Sequence, residues 1–193
     1  LSEYVSLMKR DLPSGVNIEQ LGISSYDLLV LDYGYRPAMP SVVSLFTSMF
    51  LHGGLMHLLG NMLFLWIYGD NVEHRLGSSW FLVGYVTTGV IATIFHTAFA
   101  LDSPLPLVGA SGAISGVLGF YFLWFPHNRV RLLVVLFPFF MNVITLPARI
   151  VLGFYLVFSN IMPFLVSQGM PGGGVAYGAH IGGFLGGLGW AWW

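Results

Sequence analysis

The stretch "PLPLVGASGAISGVLGFYF", residues 104–122, joins a proline-rich approach to an apolar segment in which small residues recur. Pro104, Pro106 and Gly109 favour an extended chain that ends at Ser111, because proline and glycine both disfavour a helix interior. A helix is therefore predicted to begin at Ser111. Its small face lets another helix approach closely in lipid, and its glycines are Gly112, Gly116 and Gly119.

The helix predicted from this stretch is too short to cross a bilayer. Between Ser111 and Pro126 it has about 15 residues and a length of ~23 Å, whereas the hydrocarbon core is ~30 Å thick. Ser111 is therefore expected below the outer membrane surface. Non-helical backbone at that depth is tolerated only when it is buried in protein or lines a watery cavity, so the sequence predicts a cavity at Ser111.

The composition of the 193-residue chain is that of a membrane protein. Hydrophobic residues make up 56% and charged residues 8%, against roughly 25% charged residues in a soluble domain. A lipid bilayer is thus an expected partner. The net charge of -1 argues against nucleic-acid binding. The absence of cysteine from the sequence excludes disulfides, thiolate nucleophiles and cysteine-type zinc sites.

Apolar blocks divide the rest of the chain into an all-α, polytopic membrane protein. A helical span needs about 20 residues, and the five predicted spans cover residues 48–68, 79–100, 108–125, 148–167 and 174–193. Residues 132–147 are also apolar, but Pro138 and Pro147 interrupt them, which predicts an interfacial or re-entrant element. Residues 1–40 are polar and predicted to lie on the surface.

Positive charges in the short loops orient these spans. Arg75, Arg129, Arg131 and Arg149 all fall on one side if the chain crosses at every block, and the loops of the other side contain no Lys or Arg. Positive loops favour the cytoplasm, so residues 1–40 are expected outside. An upstream helix, missing from this chain, is then expected to precede them.

Polar side chains within the spans are candidates for function because they are costly in lipid. They are His57, Asn61, His96, Ser111, Ser115, Asn160 and His180. His57 and Asn61 are four residues apart, which places them on one face of a helix. The predicted topology puts His57, Ser111 and His180 at a similar depth in the outer half of the membrane.

This set predicts the chemistry of a serine nucleophile. Ser111 is a weak nucleophile until a base takes its proton, and His180 is a suitable base. The spans contain no Asp or Glu at this depth, so a dyad is the most that the sequence supports. The backbone N–H of Ser111, with His57 and Asn61, could stabilise the oxyanion.

Other interpretations remain open on these residues alone. Ser111 could be a packing residue, and His57 or His180 a structural hydrogen-bonding residue. His52 and His57 are five residues apart and no HExxH motif occurs, so no metal and no cofactor are expected. Asp70 and Glu73 are predicted to fix the inner end of the first span, with a nearby arginine as their partner.

Three blocks together resemble the signature motifs of the rhomboid family of intramembrane serine proteases. They are "FLHGGLMHLLGNMLFLWIYGDNVEHRLG", "LVGASGAISGVLG" and "GAHIGGFLGG". The resemblance implies a rhomboid-like six-helix core whose first transmembrane helix is absent here, leaving five visible spans. It implies Ser111 as nucleophile, His180 as general base, and His57 with Asn61 as oxyanion stabilisers.

The resemblance also sets expectations for domains, substrate and location. Residues 1–44 would be an external loop and residues 45–193 the transmembrane catalytic domain. The substrates would be transmembrane proteins, cut in or next to their helices, at a multi-pass enzyme of the cell membrane whose active site faces outward. One departure is Val43 and Ser44, where the family usually has Trp-Arg; Tyr35 and Arg36 lie nearby.

Two rival functions also follow from these residues. An inactive rhomboid-like protein would bind membrane helices without cutting them, although such proteins usually lack the serine or the histidine that this chain retains. A small transporter or channel could use His57, His96 and His180 as a polar relay.

Overall fold

A computed structural model describes residues 24–136, 140–167 and 175–193. The expectations for most of the polar N-terminal segment and for the loop at 168–174 lie outside these described residues. Nine helices are numbered here: α1 Ser25–Tyr33, α2 Val42–Thr47, α3 Leu55–Phe64, α4 Asp70–Leu76, α5 Ser78–Thr97, α6 Ser111–Trp124, α7 Ala148–Leu156, α8 Met162–Ser167 and α9 Tyr177–Trp192. A 3₁₀ turn covers Ser48–Phe50, and π-helical turns cover Leu65–Gly69 and Val157–Ile161.

The predicted class, a polytopic helical membrane protein, is confirmed, but the first block is wrong in shape. Within the described residues, Ser78–Thr97 and Ala148–Ser167 are each 20 residues long and apolar enough to span a membrane. Residues 48–68 do not form one straight helix. The helical segments Val42–Phe50 and Leu55–Leu76 instead meet at 87°, and only together do they pass as a span.

Helix α6 is the centre of the packing. It has 14 residues, as short as its sequence predicts, and ten of them are buried. A Cβ atom on Gly183 of α9 would collide with the carbonyl oxygen of Gly112, and one on Gly187 would collide with that of Gly116. Backbone therefore meets backbone along this interface, as expected for small residues in lipid.

A second pair of glycines on α9, Gly182 and Gly186, packs against a different helix, α5. A Cβ atom on Gly182 would collide with the Phe95 side chain of α5, and one on Gly186 would come within 3.1 Å of Ile91. Helix α9 is thus seated between α5 and α6, with one glycine ridge for each helix.

The described residues of the apolar run, 132–136 and 140–147, lie in two paired β-strands rather than in a helix. Strand β1 covers Arg129–Leu136 and strand β2 Phe140–Pro147, paired antiparallel from Arg129 opposite Pro147 to Leu136 opposite Phe140. The run is rich in branched residues that suit a pleated strand. A non-spanning element was predicted here, but the strand structure was not.

The segment between α1 and α2 holds the approach to Ser111 in an extended conformation. Tyr35 is buried and exchanges two backbone hydrogen bonds with Leu107, at 3.0 and 2.7 Å. The Ala38 N–H donates to the Ser103 carbonyl at 3.0 Å. Residues before α2 therefore fix where the chain enters α6.

Acidic side chains accept hydrogen bonds from serine hydroxyls at two helix starts. At α1, the hydrogen bond from the Ser24 hydroxyl lowers the pKa of Asp27. At the start of α5, Ser78 Oγ donates to Glu73 at 2.7 Å. The expected ion pair of Arg75 with a carboxylate is wrong for the described part of the chain, because the guanidinium instead stacks 4.7 Å from the Trp124 ring centroid.

Candidate active site

A cavity of about 660 Å³ opens beside the first turn of α6. Its lining includes the four residues singled out in the sequence: His57, Asn61, Ser111 and His180. They come from α3, α6 and α9, so three separate helices contribute to one space. Among the described residues that line it, none is Asp, Glu, Lys or Arg.

Ser111 and His180 are in hydrogen-bond contact. Ser111 is the first residue of α6, and His180 lies in the first turn of α9. The Ser111 Oγ to His180 Nε2 distance is 2.8 Å. The glycine interface explains this short distance, because backbone contact between the two helices brings their first turns side by side. The N-terminal ends of both helix dipoles therefore point toward the cavity.

His57 is held by the loop that precedes its own helix. The backbone N–H of Gly53 donates to His57 Nδ1 at 3.1 Å. A neutral imidazole with one nitrogen accepting carries its proton on the other nitrogen. The His57 Nε2 is thereby a donor.

The donor edge of His57 faces the approach to Ser111. A Cβ atom on Gly109 would lie 3.0 Å from His57 Nε2 and 3.6 Å from Ser111 Oγ. Gly109 has φ +128°, a conformation that other residues rarely adopt. Its backbone N–H is already bonded to the Ser48 carbonyl at 2.9 Å. Only glycine leaves room here for the imidazole and the hydroxyl together.

Asn61 lies one turn along α3 from His57. Its side chain is 7% exposed, and in the described part of the chain its Nδ2 has no hydrogen-bond partner. Such an orphaned buried donor is costly in an apolar surrounding. Its place in the cavity lining makes it available to a ligand that can accept a hydrogen bond.

Asn160 makes a contact that the sequence analysis missed. It is 1% exposed, and its Oδ1 lies 2.7 Å from His180 Nδ1. The sequence places Asn160 in the fourth span without assigning it a role, because the third residue of a catalytic triad is usually Asp or Glu. An amide in an otherwise apolar block was the available signal.

Two further histidines were considered in the sequence, and they lie differently. The His52 ring packs edge-on against His57, with centroids 5.4 Å apart. Tyr26 fixes the His52 backbone, since its hydroxyl accepts from the N–H at 3.1 Å and donates to the carbonyl. His96 is half-buried beside Gly178 and is not among the residues that line the cavity.

A metal centre is not suggested by this arrangement. Over residues 24–136, 140–167 and 175–193, no group of three or more His, Asp or Glu side chains could hold a metal ion. The site is therefore a cluster of neutral hydroxyl, imidazole and amide groups. Such groups can exchange a proton and donate hydrogen bonds to a developing negative charge.

Comparison with known proteins identifies the family of this chain. The family model described as "Rhomboid domain" matches residues 40–193. The chain is 32% identical over 138 residues to the mitochondrial Rhomboid protein 1 of Saccharomyces cerevisiae, covering 64% of this chain and 38% of that protein. It is 45% identical over 75 residues to the rhomboid protease GluP of Bacillus subtilis, covering 39% of this chain and 14% of that protein.

A third relative is the putative rhomboid protease YdcA of Bacillus subtilis, 38% identical over 79 residues, which are 40% of this chain and 38% of that protein. The matched regions thus span less than two-fifths of the length of each of these relatives. The family match itself extends over most of the chain. The chain therefore belongs to the rhomboid family, a family of intramembrane serine proteases.

Proposed function

We propose that this protein is an intramembrane serine endopeptidase with Ser111 as nucleophile and His180 as general base. The observation that carries the proposal is the 2.8 Å contact between Ser111 Oγ and His180 Nε2, made inside a cavity. Hydroxyl and imidazole at this distance are the arrangement that activates a serine. No carboxylate is needed for the proton transfer itself.

Acylation would use the four residues singled out in the cavity lining. His180 Nε2 takes the proton of Ser111 as Oγ bonds to the carbonyl carbon of the scissile peptide. The resulting oxyanion accepts hydrogen bonds from the Ser111 backbone N–H, from His57 Nε2 and from Asn61 Nδ2. The carbon–nitrogen bond then breaks, and His180 gives its proton to the leaving amine.

Deacylation would repeat these steps with water in place of the peptide. His180 Nε2 takes a proton from water as its oxygen bonds to the acyl carbon. The ester bond to Ser111 then breaks, the proton returns to Oγ, and a carboxylic acid leaves. Asn61 Nδ2, which has no partner among the residues that the structure describes, supports this scheme, because each tetrahedral intermediate would give it an acceptor.

The depth of the site favours transmembrane proteins as substrates. A substrate helix must unwind before Ser111 can attack, since the carbonyl groups of a helix are engaged in its own hydrogen bonds. Glycine and other residues that weaken helices should therefore favour cleavage. A small residue before the cut is what the family resemblance implies.

We also infer the orientation from the loop charges. Arg75, Arg129, Arg131 and Arg149 belong on the cytoplasmic side, which places Ser111 toward the outer face of the cell membrane. Residues 1–44 then form an external loop, and residues 45–193 form the catalytic domain.

The test combines an active-site probe with substrate cleavage in proteoliposomes. Wild type should react with a fluorophosphonate and cut single-span substrates, whereas Ser111→Ala and His180→Ala should do neither. Ser115→Ala is the matched control, since Ser115 is a buried serine on the same helix that bonds to Tyr155 at 3.2 Å. It should keep both activities.

Two outcomes would contradict this function. Folded wild type that neither labels at Ser111 nor cuts any helical substrate, but still binds helices, would indicate an inactive rhomboid-like protein. Solute flux in liposomes that survives Ser111→Ala would indicate a transporter or channel.

A further inference from the structure

We propose that Asn160 is a positioning residue that completes a Ser111–His180–Asn160 array and fixes the tautomer of His180. The inference rests on the proposed function and extends it, because a dyad leaves the second imidazole nitrogen without an assigned partner. In the structure that nitrogen, Nδ1, lies 2.7 Å from Asn160 Oδ1.

The orientation of the Asn160 amide follows from its other contact. Its Nδ2 donates to the backbone carbonyl of Tyr155 at 2.9 Å. A carbonyl can only accept, so the nitrogen of the amide must face Tyr155 and the oxygen must face His180. The contact with His180 is thus made by an atom that only accepts.

The protonation of His180 follows in turn. Because Asn160 Oδ1 accepts, His180 Nδ1 carries the hydrogen, and Nε2 keeps its lone pair. That lone pair faces Ser111 Oγ at 2.8 Å, so the hydroxyl donates to it. His180 and His57 are therefore set in opposite tautomers, one for accepting a proton and the other for donating a hydrogen bond.

The backbone around Asn160 is built for this contact. Asn160 lies in the π-helical turn Val157–Ile161, between α7 and α8. Turns of this kind are rare and often occur at functional sites. The amide reaches the carbonyl five residues earlier, and its 1% exposure leaves it no alternative partner in solvent. The wide turn thus directs a fixed amide at His180.

A neutral amide suits this position in a membrane. When His180 becomes an imidazolium, its hydrogen bond to Asn160 Oδ1 becomes charge-assisted and stronger. A carboxylate would serve the same purpose but is expensive to bury in lipid. Asparagine replaces the acid of a catalytic triad in some soluble proteases, and the same physical role is open to it here.

The decisive comparison is Asn160→Leu against Asn160→Asp. Leucine has the same branched shape, with methyl groups in place of the amide oxygen and nitrogen, and no acceptor, so kcat and the fluorophosphonate labelling rate should fall about 30-fold while KM stays unchanged. Aspartate restores an oxygen facing Nδ1, whether charged or protonated, and should recover most of that loss. Thr88→Val removes another fully buried polar group and should leave the labelling rate unchanged.

A spectroscopic readout separates positioning from structural support. In protein labelled with ¹⁵N-histidine, the His180 signals are those that disappear in His180→Gln. Wild type and Asn160→Asp should show a proton on Nδ1, whereas Asn160→Leu should show a mixture of tautomers. This measurement needs no catalysis, so it tests Asn160 even if the proposed protease activity fails.

Three results would overturn the inference. One is a wild-type His180 whose proton is on Nε2. Because this measurement uses wild type, it tests the proposed tautomer even if Asn160→Leu does not fold. Another is folded Asn160→Leu that labels at the wild-type rate. The third is an equal loss of activity in the leucine and aspartate variants at unchanged stability.

Discussion

The two sides of the cavity differ sharply in how they are packed. In α6, ten of 14 residues are buried, and glycines bring its backbone against α9. In α3, only Asn61 is buried among ten residues, and α8 has no buried residue. Ser111 and His180 belong to the packed side, whereas Asn61 and Asn160 belong to the flanking helices.

This difference separates two requirements of the site. The packed side, α5, α6 and α9, sets the distance between hydroxyl and imidazole through backbone contacts that allow no adjustment. The flanking side, α3, α7 and α8, contributes individual hydrogen bonds from helices whose other faces meet lipid. Substitutions on the packed side should therefore lower stability and activity together. Substitutions on the flanking side should change one of the two without the other.

The largest effect is expected at the glycine interface. In Gly183→Ala the new Cβ would collide with the Gly112 carbonyl oxygen, so α9 must move away from α6. The free energy of unfolding should fall by about 3 kcal/mol, and labelling of Ser111 should be lost as His180 withdraws. Thermal unfolding in detergent and the fluorophosphonate rate measure the two effects.

Gly189→Ala provides the control on the same helix. Among the described residues, a Cβ at that position would have no contact within 4 Å beyond its own stretch of helix, and alanine favours a helix over glycine. This variant should be as stable as wild type or more so. Equal losses in the two alanine variants would show that close backbone contact does not hold α6 and α9 together.

A strong but local effect is expected at Gly109. In Gly109→Ala the Cβ would lie 2.8 Å from His57 Cε1, which would push the imidazole away from Ser111. The labelling rate should fall about 1,000-fold, with a loss of only about 1–2 kcal/mol in unfolding free energy.

Gly77→Ala separates backbone strain from the contact with His57. Gly77 also has a positive φ, of +77°, but a Cβ there would meet no described residue within 4 Å apart from its chain neighbours. It should share the loss of stability and keep the labelling rate. If both variants label equally well, the Gly109 contact does not position His57.

A smaller effect is expected at Asn61. Asn61→Ala removes one proposed oxyanion donor and should slow labelling about 100-fold, equivalent to ~3 kcal/mol in the transition state. Stability should not fall, because the lost Nδ2 has no partner among the described residues. Ionised Asn61→Asp cannot donate either and should be as slow; a rate near that of wild type in both variants would exclude Asn61 from the oxyanion site.

The sequence was sufficient to predict the packed side of the molecule. Prolines and Gly109 mark the start of α6 at Ser111, and glycine spacing indicates which helix faces can touch. These signals are local, because proline and glycine act on their own backbone and small side chains act at direct contact. The structure accordingly brings Ser111 and His180 to 2.8 Å.

The flanking side depends on features that a hydropathy pattern does not contain. The 87° bend before α3 falls within an apolar run, and apolar content alone does not distinguish a bent helix pair from a straight span. Apolar content likewise does not reveal the paired strands Arg129–Leu136 and Phe140–Pro147, where the sequence predicts an interfacial or re-entrant element. The contact of Asn160 is made from a π-helical turn, and a hydropathy pattern does not distinguish such a turn from a regular α-helix.

The smallest effect is expected at the lipid-facing surface formed by α7 and the π-helical turn that follows it. Phe154 and Phe158 stack at 4.4 Å and are 60% and 53% exposed. In a bilayer their outer faces contact lipid whether or not the bundle is packed. Phe158→Ala should therefore change the unfolding free energy by less than about 1 kcal/mol, whereas Phe184→Ala, fully buried in α9, should cost about 3–5 kcal/mol.

The same variant tests whether α7 moves to admit a substrate helix. If it does, Phe158→Ala should cut helical substrates at least as fast as wild type while its fluorophosphonate rate stays the same. Slower cleavage at an unchanged labelling rate would mean instead that the stacked pair binds the substrate, and equal destabilisation by both alanines would remove the distinction between the packed and the flanking sides.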